Sequence, residues 1–206
     1  MGRSAFFIRL FGCPVKCSWC DSAGTWHSDY VPAELPRMEA GELAGIAKAS
    51  GAEFVVVTGG EPAIHDLNEL SMALKKVGLP VHLETSGGFP IRGEFDWVTL
   101  SPKWQKLPVE PALQQASEFK LIVENAKSID KWIQALDGYL DRPTWLHPEW
   151  SVAKDPAILE SITEAVKRRG WPFRAGFQLH KLYRADSLDE NSREAAPLGG
   201  KPELGY

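Results

Sequence analysis

The sequence predicts an α/β fold on a parallel sheet that stops short of a closed eightfold barrel. Three observations carry this. Six or seven short, β-rich apolar runs alternate with helix-like segments along the 206 residues. Several runs are continuous rather than alternating, as in parallel strands covered on both faces. Well-punctuated helices are fewer than strands. The chemically unusual residues cluster just after the runs, at the carboxyl ends of strands, where parallel sheets place their sites.

The first run, Phe6–Phe11, leads into GCPVKCSWCD at 12–21. A helix is expected over 39–49. Phe54–Thr58 follows and runs into TGGEP at 58–62. In HDLNELSMALKKVG, Asp66 can cap a helix with Glu69 three residues on. Leu67, Leu70, Leu74 and Val77 form its stripe, and Gly78 its stop. Val81–Glu84 opens ETSGG, Trp97–Leu100 precedes SPK, and Phe119–Val123 precedes a helical segment over 128–140. Thr144–Leu146 precedes HPEW. In KDPAILESITEAVKRRG, Asp155 is the cap and Pro156 the first helical residue. Ile158, Leu159, Ile162, Ala165 and Val166 line one face, and Gly170 ends it. The last strand is expected at Phe177–Leu179. Residues 1–183 read as one catalytic domain, and the polar, Pro- and Gly-containing 184–206 as a mobile or loosely docked tail.

A net charge of −4 and a pI near 5.8 leave no basic footprint for nucleic acid. No run approaches 18 apolar residues, so no membrane span is expected. MGRSAFFIRL lacks the small-residue cleavage site of a signal peptide. Gly2 is not followed by Ser or Thr at position 6, so it does not make a myristoylation signal. Cys13, Cys17 and Cys20 are the only cysteines. That clustering argues against a disulfide framework and for a reducing compartment, the cytoplasm.

Three thiolates in C-x3-C-x2-C can converge on one centre. Free thiols, a zinc site with His27 as fourth ligand, and an iron–sulfur cluster with one open iron all stay open on spacing alone. Arg9, inside FFIRLF, is hard to bury without a partner, and its planar fork suits a carboxylate. Glu84 could accept N–H groups from a ligand or pair with Arg9 or Lys120. Glu61 could meet a ligand ammonium or cap the next helix.

CPVKCSWC, with an aromatic before its last cysteine, resembles the signature of radical S-adenosylmethionine (SAM) enzymes, and TGGEP resembles their SAM amino-group motif. The ordered set FIRLFGCPVKCSWCDS, VTGGEP, LETSGG, LSPK, FKLIV and FQLHK is similar to 7-carboxy-7-deazaguanine synthases, from about Gly2 to Lys181. The resemblance implies a reduced and modified partial (βα)6-like TIM barrel of the radical SAM type. It implies a homodimer with a 4Fe–4S cluster, SAM and Mg2+. The implied reaction is a lyase step of queuosine and deazapurine biosynthesis, from 6-carboxy-5,6,7,8-tetrahydropterin to 7-carboxy-7-deazaguanine with loss of ammonia. An electron donor such as flavodoxin or ferredoxin goes with it.

By the same resemblance Cys13, Cys17 and Cys20 hold the cluster, and Ser22, where Thr is common, meets Mg2+. Trp19, Cys20, Asp21, Gly60, Glu61, Ser86, Ser101, Pro102, Lys103 and His147 line SAM. Arg9, Thr58, Glu84 and His180 meet the substrate. Ser86 stands where Asn is common, and His147-Pro148 where Gln-Pro is common. The family's Gln-Gly-Glu-Gly stretch ahead of this segment is missing, so truncation, an incomplete pocket and a different hold on substrate stay open. The competing functions are an activase that makes a glycyl radical on a partner protein, and a zinc-stabilised binding module without catalysis.

Overall fold

The computed structural model describes residues 2–35, 37–179 and 183. Seven parallel strands follow one another in chain order: β1 Ala5–Leu10, β2 Phe54–Gly59, β3 Val81–Thr85, β4 Trp97–Leu100, β5 Glu118–Val123, β6 Thr144–Pro148 and β7 Phe173–Ala175. Every pair is parallel and sequential, and among the described residues β1 and β7 do not meet. The sheet is therefore an open, partial barrel. Among the described residues five α-helices cover its outside: α1 Ala40–Ala49, α2 Asn68–Lys76, α3 Glu110–Gln115, α4 Ser128–Ala135 and α5 Pro156–Arg169.

Local chemistry sets these boundaries. Asp155 accepts from Ala157 N at 2.9 Å, Pro156 supplies the first helical φ, and Gly170 at φ 62° ends α5. Asp66 accepts from Asn68 N at 3.1 Å but lies one residue outside the N-cap of α2. The last strand is four residues earlier than expected. Phe173–Ala175 pairs with β6, while Phe177 and Gln178 are irregular and carry the chain onto the mouth of the barrel. α3 was not foreseen, being short and opened by Pro111. α4 stops at Ala135 rather than 140.

The core lies between sheet and helices. Val55, Val57, Leu83, Leu100, Phe119, Leu121 and Leu146 face it at 0% exposure, meeting Leu74 of α2, Trp132 of α4 and Ile162 of α5. Each such side chain contributes on the order of 1.5–3 kcal/mol by leaving water. The opposite face is less covered than the continuous runs implied. β3 and β5 alternate buried with half-buried residues, because the inside of a partial barrel stays open. Register places Arg9 beside Thr58, Glu84 beside Thr99, Lys120 beside Trp145 and Ile122 beside His147. Strand alternation thus puts Arg9, Thr58, Glu84, Lys120 and His147 on the concave face.

Candidate active site

Two loops at the carboxyl ends of β1 and β2 are fastened into one unit. Gly60 N donates to Leu10 O at 2.9 Å, and Glu61 N to Gly12 O at 2.8 Å. A Cβ on Gly60 would sit 2.3 Å from Gly12 O and 2.9 Å from the Cβ of Cys13, so only glycine allows this approach. The cysteine loop closes on itself through Gly12 N to Thr25 O at 2.8 Å. Lys16 takes the left-handed region there at φ 53°.

All three thiols are unbridged, with Cys17 buried and Cys13 and Cys20 half-buried. Burial pushes the Cys17 thiol up to about 11 and raises Cys20 as well. Alone they stay neutral; a metal centre is what makes such thiols thiolates. Cys20 Sγ already receives the backbone N–H of Ser22 at 3.4 Å and the indole N–H of Trp26 at 3.3 Å, which suits a metal-bound sulfur. His27 does not join them. It lies against the rings of Trp26 and Tyr30, with Asp29 at 3.8 Å. Among the described residues no three Cys, His, Asp or Glu side chains group as a single ion requires. The zinc reading has no fourth ligand among the described residues.

Glu61 is 1% exposed and fully engaged. Its Oε1 accepts from Ala63 N at 2.9 Å and Thr85 Oγ1 at 2.5 Å. Its Oε2 accepts from Ser86 N at 2.8 Å and from the Ser86 hydroxyl. Four donors fill the acceptor positions of one carboxylate. Glu61 caps the short helix Pro62–Ile64, the alternative weighed above, and Ser86 turns inward to it. Both are framework for the loop at Gly59 and Gly60.

Arg9 is exposed, contrary to the burial that its apolar strand suggested, because β1 is an edge strand with an open concave side. Its Nη1 donates to Ser22 Oγ at 3.0 Å, and Ser22 Oγ donates to Asp21 Oδ1 at 3.1 Å. Asp21 Oδ2 accepts from Gln178 Nε2 at 3.2 Å. This chain of contacts bridges the gap between β1 and the segment after β7.

Glu84 pairs with Lys120, Nζ to Oε2 at 2.7 Å. Burial would raise the Glu84 carboxyl, but the charge and hydrogen bond of Lys120 outweigh it and hold it below its ordinary value. Burial would lower Lys120, and Glu84 raises it instead. His147, 7% exposed, is held down to about 3 by burial and by Lys120. It is a neutral imidazole at this rim.

Across the mouth, Trp19 Nε1 donates to Glu124 Oε1 at 2.6 Å. Lys103 Nζ sits 5.7 Å from the centroid of the Trp19 ring and donates to Ser101 O at 2.6 Å and Ser101 Oγ at 2.8 Å. Burial lowers Lys103. Pro102 is buried between them. The expected residues thus gather on one rim, except His180, which lies outside the described residues. Lys120 and Glu124 were not foreseen as site residues. Alternation within FKLIV puts Lys120 on the inner face, and Glu124 directly follows a strand end. A groove of about 350 Å³ lined by Trp104, Asn125 and Lys131 shares Glu124 as a wall but holds none of the expected residues.

Comparison with known proteins bears on the family and the fold. Residues 7–103 match the Radical SAM superfamily. The chain is 44% identical over 182 residues to a 7-carboxy-7-deazaguanine synthase of Synechocystis sp., covering 87% of this chain and 83% of that one. It superposes on the crystal structure of QueE from Escherichia coli with a TM-score of 0.70 at 32% identity, over 86% of both chains. Streptococcus suis SuiB bound to S-adenosylmethionine shares the fold at TM-score 0.59 and 12% identity, over 89% of this chain and 53% of that one.

Proposed function

This chain belongs to the 7-carboxy-7-deazaguanine synthase family of the radical SAM superfamily, and on that premise we propose how its residues divide the work. It is a radical SAM lyase that converts 6-carboxy-5,6,7,8-tetrahydropterin to 7-carboxy-7-deazaguanine with loss of ammonia. Its cofactors are a 4Fe–4S cluster and SAM. The activase and zinc-module readings give way to this one.

Cys13, Cys17 and Cys20 would hold three irons, leaving the fourth for SAM. When bound, the cluster supplies the electron for reductive cleavage of SAM, the source of hydrogen-abstracting power. The protein's part is to bind, orient and shield. Gly60 brings its backbone close to the cysteine loop, with Glu61 and Ser86 holding it there. Trp19, Asp21, Ser101, Pro102, Lys103 and His147 complete the SAM-facing wall. Arg9 clamps the substrate carboxylate with two parallel N–H bonds. Glu84, kept ionised by Lys120, accepts N–H groups of the pterin ring, and Thr58 adds a hydroxyl. Ser22, beside the Asp21 carboxylate, offers hard oxygens to Mg2+. His180 faces the substrate by its match to the family motif. A homodimer, a flavodoxin- or ferredoxin-type electron donor and a cytoplasmic setting complete the reading. No helix among the described residues is long and apolar enough to cross a membrane.

The observation that carries this assignment of roles is the meeting on one rim of Arg9, Ser22 and the Glu84–Lys120 pair beside three unbridged cysteines. Anaerobic turnover of the carboxypterin with SAM and dithionite tests it. Iron-replete protein should form 7-carboxy-7-deazaguanine. Cleavage of SAM without that product would overturn the substrate assignment.

A further inference from the structure

Among the described residues, two buried side-chain atoms have no hydrogen-bond partner: Nδ1 of His147 and Oε1 of Gln178. They belong to the end of β6 and the segment just after β7. A buried amide oxygen without a donor is costly, and native structures rarely leave one so. On the same rim Glu61, by contrast, is saturated within the chain.

The orientation of Gln178 is fixed by chemistry. Asp21 Oδ2 accepts from Gln178 Nε2 at 3.2 Å, and an ionised carboxylate can only accept. The amide must therefore turn its nitrogen to Asp21 and its oxygen away. Gly176 keeps the neighbourhood tight, since a Cβ there would lie 2.2 Å from His147 Nε2. The remaining acceptor, at the gap between β1 and β7, has nothing to accept from among the described residues.

We infer that Gln178 is a substrate-recognition residue: Asp21 moors its amide nitrogen, and its amide oxygen accepts an N–H of the bound pterin. This rests on the function proposed above. Both ligands carry donors, the pterin as ring and amino N–H groups and SAM as an ammonium. Asp21 stands between the two: it belongs to the SAM-facing wall, and through Ser22 it also joins Gln178 to Arg9, the carboxylate clamp. That link to Arg9 selects the pterin, since Lys103 and Trp19 sit apart from it with Glu124 at the end of β5.

The test is anaerobic equilibrium titration of cluster-loaded enzyme, with SAM present, against the carboxypterin and analogues each blocked at one N–H. Gln178→Met should weaken carboxypterin binding about tenfold to a hundredfold. Iron content and SAM affinity should stay at wild-type values. One blocked analogue should bind wild type poorly yet bind Gln178→Met no worse than the parent compound does, the signature of a direct pair. Gln178→Asn, which keeps the amide but withdraws it by one methylene, should show the same loss in a second background. Normal carboxypterin binding by both variants would overturn the inference. So would a loss of SAM affinity with pterin affinity intact, or an equal loss against every analogue, which would make the amide a strut. Failure of the wild type to bind carboxypterin would instead overturn the parent reading, and this inference with it.

Discussion

Glu61 and Glu84 stand at neighbouring strand ends on the same rim, and their surroundings are opposite. Glu61 has four neutral donors from its own chain and 1% exposure. Glu84 has one cation, Lys120, and a side chain about a third exposed at 34%. A carboxylate with every acceptor position filled has no capacity left for a ligand, so its job is to hold loops. A carboxylate kept charged by one lysine still has free acceptor positions facing the mouth. Degree of saturation, rather than charge or burial, separates a carboxylate with room for a ligand from one without.

The sharpest way to break this contrast is Glu61→Ala. It strands the backbone N–H groups of Ala63 and Ser86 in a buried place. Two orphaned donors cost about 3–5 kcal/mol together, read by urea unfolding; a variant as stable as wild type would end the framework reading. Glu84→Gln should do the reverse. Stability should move by no more than about 1 kcal/mol, since the amide oxygen can still meet Lys120. Carboxypterin affinity should fall roughly tenfold to a hundredfold in binding titrations. An unfolded Glu84→Gln with normal ligand affinity in its folded fraction would invert the comparison.

His147 sharpens the contrast, because it feels both members of the Glu84–Lys120 pair. Burial holds its folded value down at about 3, below the ordinary 6.5. As pH falls, the unfolded chain therefore takes up this proton first. The stability tied to the neutral imidazole is complete above pH 6.5 and is lost as pH falls toward 3. Between roughly pH 6.5 and 5, above the range where carboxylates titrate, about 1–2 kcal/mol should disappear. His147→Gln should flatten that limb in denaturation curves at stepped pH. The smallest effect is expected of Ser22→Ala. It should shift the Mg2+ concentration for half-maximal activity by roughly threefold to tenfold, about the worth of one ligand contact. An unchanged Mg2+ titration would remove Ser22 from the metal site.

What was legible in the sequence was local. C-x3-C-x2-C, TGGEP and the Asp155-Pro156 start with its Gly170 stop each lie within a few residues, where spacing alone fixes geometry. What was not legible came from distant partners. Three of the four donors that saturate Glu61 arrive from Thr85 and Ser86 at the end of β3, 24 and 25 residues later. The exposure of Arg9 depends on β1 being an edge, which only the whole sheet decides. The last strand was misplaced because Phe173–Ala175 has one buried apolar residue, whereas Phe177–Leu179 offered a better pattern and a worse position. Lys120 was read as a partner for Glu84, 36 residues away, but not as a site residue, because the rim both stand on is assembled by the whole sheet.

A sheet whose strand order repeats chain order also sets a timetable for synthesis. The cysteine loop leaves the ribosome before the rest of the sheet, and the glutamine that closes the rim against Asp21 follows 157 residues later. At roughly 5–20 residues per second, that interval is on the order of 8–30 s. Through it the three thiols stand at the edge of a half-built sheet, open from the side that β7 and its following segment will come to occupy. Iron and sulfide delivered then would reach the thiols by their widest path, before the C-terminal strand has docked.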